Sequence, residues 1–127
     1  MCLYTNKRSR IAKEDIQVFK VLRIYDGRYV TPYRKATLSP NKLLPKVKLG
    51  VITDYLWFLK RRDGFNTRFS VGEGYHSYLS EIKAINNKCS LERIFNATIP
   101  KGTRYYIDKP HYIVAETMII HADINIK

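Results

Sequence analysis

Apolar and polar positions divide the chain into short strand-like runs separated by turn signals. The first strong run is IQVFKVLRI at 16–24. Ile16, Val18, Lys20, Leu22 and Ile24 share one parity, while Gln17, Phe19, Val21 and Arg23 share the other. Neither parity is purely apolar, which predicts a strand covered in part on both faces. Asp26-Gly27 follows, a dipeptide that suits the positive φ angles of a tight hairpin turn. RYVTPY at 28–33 reads as the returning strand, with Pro32 ending it or placing it on an edge. Residues 34–50 carry Pro40, Pro45 and Gly50 and read as a loop or a series of turns.

The most apolar segment, VITDYLWFLKRR at 51–62, fits either a helix or a buried strand. The absence of internal Gly or Pro favours a helix. Turns are expected around Gly64, Gly72 and Gly74, then a strand at 75–78. Ser80 is placed to cap a short helix running to about Asn87, with Glu81 in its first turn and a narrow apolar stripe of Ile82, Ala84 and Ile85. LERIFNATIP at 91–100 reads as a strand, and Pro100-Lys101-Gly102 as a turn. TRYYI at 103–107 and YIVAETMIIHADINI at 112–126 read as final strands, with a turn at 108–110. The composite is α+β: mostly antiparallel sheet with one or two short helices. Length predicts one domain over 1–127, with 1–15 a flexible basic N-terminal arm.

Charge changes this picture. Residues 1–62 hold 15 Lys and Arg against 4 Asp and Glu, whereas 63–127 hold 8 against 7. A positive face on the first half attracts phosphate. The candidate polyanion-binding set is Arg28, Arg34, Lys35, Lys42, Lys46, Lys48, Arg61 and Arg62, with Tyr29 and Tyr33 as stacking partners for bases. The expected partner is a nucleic acid, a nucleotide-type ligand or an acidic protein surface. An ordinary solvated basic surface would leave the same composition.

Catalytic and cofactor signals are sparse. Cys2 and Cys89 have no neighbouring Cys or His at metal-ligand spacing, and His76, His111 and His121 fall on separate elements, so no metal is expected. Neither a P-loop nor a dinucleotide fingerprint occurs, and no cofactor is expected. The Ser-nucleophile elbow is also missing. His76 draws notice because it lies between a Gly-rich turn and a helix start. Glu116 is the one acid on an otherwise apolar parity of Val114, Met118 and Ile120; such a group either serves a cleft or sits paired at a rim. With no apolar leader and no run of 18 apolar residues, the expectation is a cytoplasmic protein with no membrane partner.

MCLY, IAKEDIQVFKVL, TPY, GYHSY, IPKGTRYY and IVAETMII together resemble a family of small proteins from Bacteroides-type gut bacteria and their bacteriophages. The resemblance implies a phage or mobile-element setting, where a non-enzymatic binding protein would suit interference with host defence, or else a structural or assembly part of a phage particle. Separately, ATIPKGTRYYI and AETMII resemble the stretch of the ADP-ribosyltransferase fold that leads into its catalytic Glu. That likeness implies an enzyme in which Arg23 contacts a nicotinamide cofactor, Ser77 sits on the second motif strand and Glu116 is the catalytic acid. The Ser-Thr-Ser motif is missing, and Val114 stands where a Glu-x-Glu pair needs its first acid.

Overall fold

The computed structural model describes residues 3–5, 9–31, 37–53, 69–108 and 111–121. Their strands are β1 (Leu3–Thr5), β2 (Arg10–Ile11), β3 (Ile16–Tyr25), β4 (Arg28–Val30), β5 (Thr37–Leu38), β6 (Gly50–Thr53), β7 (Phe69–Glu73), β8 (Tyr75–Tyr78), β9 (Glu92–Ile99), β10 (Arg104–Asp108), β11 (Tyr112–Ala115) and β12 (Ile119–Ile120). One short helix, α1 (Glu81–Asn87), is present among the described residues. Every strand pairing among them is antiparallel.

The central ladder joins β3 to β9 over eight residue pairs, Ile16↔Ile99 through Arg23↔Glu92. On its other side β3 meets β8 at Phe19↔Tyr78, and β8 pairs with β11. The chain then bends at 116–118 and returns as β12 to pair with β9. Those ladders and one covalent link make a circuit of strands around the core, although the hydrogen-bonded sheet stays open, with β12 and β2 at its two ends. β10 and β2 extend the sheet beyond β11, and β4 and β5 extend it beyond the far half of β3. β1, β7 and β6 make a separate three-stranded sheet.

Strand alternation decides what lies inside the circuit. Val18, Lys20 and Leu22 of β3 are buried, as are Phe95, Ala97 and Ile99 of β9. These side chains, apart from Lys20, form one apolar cluster with Ile113, Ala115, Met118 and Ile120. Leu38 and Leu44 close it from β5 and the following segment. The opposite parity of β3 (Phe19, Val21 and Arg23) is half-buried, and α1 lies against β3, β8 and β9. Both faces of β3 are thus partly covered, as its mixed pattern predicts.

Local signals placed the turn and the cap. Asp26 and Gly27 have φ of 50° and 73°, the positive pair that a tight hairpin requires. The Ser80 hydroxyl accepts from the Lys83 N–H, capping α1. Gly74 joins β7 to β8 at φ +134°, and a Cβ there would lie 2.5 Å from Val114 Cγ1 and 2.7 Å from Leu49 Cδ2. Only glycine fits that close approach.

Several expectations are corrected. Ile82 and Ile85 do not form a buried stripe; they are 71% and 49% exposed, and Ala84 alone of α1 is buried. The run from 112 is not one strand, because it breaks at Glu116–Met118 between β11 and β12. Residues 51–53 are strand rather than helix, paired with β7, while 54–62 lie outside the described residues. Gly72 is within β7, not at a turn. Within 1–15, residues 3–5 and 10–11 are paired in strands and Ala12 is buried, so these parts do not form a free arm. No helix among the described residues is long and apolar enough to cross a membrane.

Candidate functional site

The segment 39–49 is a strap laid along the bend between β11 and β12. Its backbone N–H groups donate to that bend at three points: Asn41 to Ile120 O at 2.7 Å, Leu44 to Met118 O at 3.0 Å and Val47 to Glu116 O at 2.9 Å. The Thr117 hydroxyl donates back to Leu44 O at 2.6 Å, and the Tyr75 hydroxyl donates to Pro45 O at 2.7 Å. Leu44 is buried beneath it. Irregular backbone is thereby hydrogen-bonded without a regular ladder, as buried backbone must be. Lys42, Lys46 and Lys48 all lie along this strap, and all three are exposed. Of the loop expected at 34–50, residues 39–49 are irregular, 37–38 are instead strand β5, Gly50 opens β6 and 34–36 lie outside the described residues; the basic side chains of 39–49 stand on a pinned backbone.

Glu116 sits beneath the strap with its side chain 13% exposed. Its Oε1 accepts the Arg104 N–H at 2.9 Å and lies 3.5 Å from Lys46 Nζ. Glu116 therefore ties the strap to β10 and occupies the paired rim position, one of its two expected roles. Arg104, exposed on β10, donates from Nη1 to the Ser9 hydroxyl at 2.8 Å. The adjoining β2 carries exposed Arg10, opposite Tyr105 in register. Arg104 thus adds a cation beside Glu116 on β10, while Arg10, level with Tyr105, projects from the opposite face of the ladder. The sequence pattern does not single out Arg104, because only the fold brings its backbone to the Glu116 carboxylate that Lys46 also meets.

The remaining candidates divide sharply. Arg28 is exposed at the start of β4. Tyr29 is half-buried and meets Phe95 edge-on with ring centroids 5.1 Å apart. It packs against the core cluster, which corrects its expected role as a stacking platform. Tyr25 is the exposed ring of this hairpin, at 66%. Tyr33, Arg34, Lys35, Arg61 and Arg62 lie outside the described residues.

The residues linked by the transferase likeness are not gathered on one face. Because Phe19 pairs with Tyr78, Lys20 stands level with Ser77 on the interior face, and Arg23 points to the other. The Ser77 hydroxyl is buried and contacts Met118 Sδ at 3.7 Å. Arg23 Nε is buried without a hydrogen-bond partner. His76 is half-buried on β8, opposite Val114. No group of three or more His, Cys, Asp or Glu among the described residues is arranged to hold a metal.

Lys20 is the charged group least expected from its surroundings. It is 6% exposed, and its Nζ donates to the backbone carbonyl of His76. Burial lowers its pKa from 10.5 to about 8, since a cation loses its hydration there. Burial also raises the Tyr75 phenol above 10.0.

No family model, curated protein or solved structure matches this chain. The functional reading therefore rests on the geometry of the strap and its neighbours.

Proposed function

We propose that this chain is a non-enzymatic binding protein for a polyanionic partner, with the 39–49 strap as the centre of its binding face. The observation that carries this reading is the set Lys42, Lys46 and Lys48, carried on backbone that is fastened to 116–120 by three N–H donations. Pinned backbone lets cations meet a row of phosphates without first ordering a loop, and that ordering would cost about 1–2 kcal/mol per residue. Arg28 at one end and Arg104 at the other lengthen the face. The overall charge of +12 draws anions to it.

Phosphate-bearing partners fit best: a nucleic acid, a nucleotide-type signal, or an acidic protein surface that mimics one. In the bacteriophage setting implied by the sequence resemblance, such a protein would act by occupying a host partner rather than by modifying it, in keeping with interference with a defence system. A transferase role for Arg23, Ser77 and Glu116 has less support, because Arg23 and Ser77 point to opposite faces and Glu116 is already engaged by Arg104 and Lys46.

Salt dependence tests the reading. Association with a polyanion releases its counterions, so affinity should fall linearly on a log–log plot against salt. Replacing Lys42, Lys46 and Lys48 together with Gln should weaken binding and flatten that slope by about one unit for each phosphate the variant no longer neutralises. Unchanged affinity and slope in the triple variant would make the strap a solvated surface only.

A further inference from the structure

We propose that the tip of the β3–β4 hairpin is a stacking site for an unpaired nucleobase, with Tyr25 supplying the ring and Arg28 the phosphate contact. The proposal rests on the polyanion reading above and narrows the partner to single-stranded nucleic acid.

Other tyrosine rings among the described residues serve the fold itself. Tyr29 packs on Phe95, Tyr78 lies 5.4 Å from Tyr112, and the Tyr75 hydroxyl holds the strap. Tyr105 and Tyr106 are half-buried on β10. Tyr25 is different: 66% of its surface is open, and no ring contact or hydrogen bond engages its side chain among the described residues. A large apolar ring left in water next to a turn gains little from folding, since burial is what stabilises an ordered apolar side chain.

The tip is also a firm platform. Tyr25 pairs directly with Arg28 in the antiparallel register, closing the hairpin around Asp26 and Gly27. Directly opposed residues project from the same face, so ring and guanidinium stand side by side. Stacking on a ring accepts any base, while an adjacent cation holds the backbone, and together these are what a single strand needs. A duplex keeps its base faces covered and offers that ring nothing to stack on.

The hairpin tip adjoins the strap. β4 pairs with β5 at Tyr29↔Leu38, so the chain leaves β5 alongside Arg28 and reaches Lys42 four residues later. In this proposal one strand of nucleic acid runs from the ring at Tyr25 towards the lysines of the strap.

Fluorescence anisotropy with a labelled oligothymidylate, competed by inorganic polyphosphate and by a blunt duplex, tests the idea on the full chain. Tyr25→Ala should weaken the single strand roughly 5- to 100-fold, while Tyr25→Phe retains affinity. The salt slope, the affinity for polyphosphate and the melting temperature should stay unchanged in both variants. An unaltered single-strand affinity in Tyr25→Ala, or an equal loss for polyphosphate, would overturn the stacking site while leaving the basic face standing. If the parent chain binds neither oligonucleotide nor polyphosphate, the polyanion reading itself fails and this proposal falls with it.

Discussion

Lys20 donates from its ammonium group to the backbone carbonyl of His76 while standing on the apolar parity of β3, between buried Val18 and Leu22. One hydrogen bond to a neutral carbonyl does not replace the hydration of a cation. Burial accordingly lowers its pKa from 10.5 to about 8.

The pH dependence has a definite sign. Below about pH 8 Lys20 is protonated in both the folded and unfolded states, and the folded state bears the cost of a buried cation. Between about 8 and 10.5 the folded chain releases its proton while the unfolded chain still holds it, so stability contributed by this group rises with pH across that window. The full rise is about 3 kcal/mol at about 1.36 kcal/mol per unit. Lys20→Met should stabilise the fold at pH 7 by about 1–3 kcal/mol, following the behaviour of buried charges replaced by apolar groups of similar volume. The gap between variant and parent should shrink towards pH 10. Denaturant titrations at both pH values check this, and a variant that is less stable at pH 7 would show that the bond to His76 outweighs desolvation.

Glu116→Gln separates a fastening role from a catalytic one. Gln keeps an oxygen that can accept the Arg104 N–H but gives up the ion pair with Lys46, whose side chain is 72% exposed. Exposed pairs contribute about 0–1 kcal/mol, so the melting temperature should move little. Polyanion affinity should be unchanged or slightly tighter, because one negative charge is lost and Lys46 is released. The parent chain should release no nicotinamide from its dinucleotide. Release that disappears in the Gln variant would favour the transferase reading instead.

Strand parity makes a third test. Leu22→Ala removes a fully buried side chain and should cost about 2–5 kcal/mol. Val21, its neighbour on the half-buried face, should cost less when cut to Ala, about 1 kcal/mol. Equal costs measured by equilibrium unfolding would mean that the faces of β3 are assigned the wrong way round.

Elements built from neighbouring residues were legible in the sequence. The run at 16–24, the Asp26-Gly27 turn and the Ser80 cap each depend on contacts within a few positions, and each is found where its local pattern places it. The strap was not legible as a strap, because Val47 and Glu116 meet through backbone groups that carry no side-chain signature. Alternation does separate Tyr25 from Tyr29 once the Asp26-Gly27 turn fixes the register: Tyr29 stands opposite Ile24 on the inner parity, where it meets Phe95, while Tyr25 stands opposite Arg28 on the other. At α1 the apolar spacing misled, since Ile82 and Ile85 look towards solvent and a single Ala84 makes the buried contact. Lys20 counted as a polar interruption in the pattern, whereas its place on the inner parity between Val18 and Leu22 leaves it little access to water.

The β3–β9 ladder also sets a timetable for synthesis. Ile16 pairs with Ile99 and Arg23 with Glu92, partners 83 and 69 residues apart along the chain. While the polypeptide is emerging from a ribosome, the ten residues of β3 are made long before their main partner exists. During that interval the strand has its hairpin to β4 and, later, the single β8 pairing at Phe19↔Tyr78, while Val18 and Leu22 still lack their β9 neighbours. Contacts this distant bring a late and slow closing step, because loop entropy is lost before burial in the apolar cluster offsets it. The long ladder that gives the finished sheet its centre thus leaves the nascent chain most exposed to aggregation or to chaperones before β9 arrives.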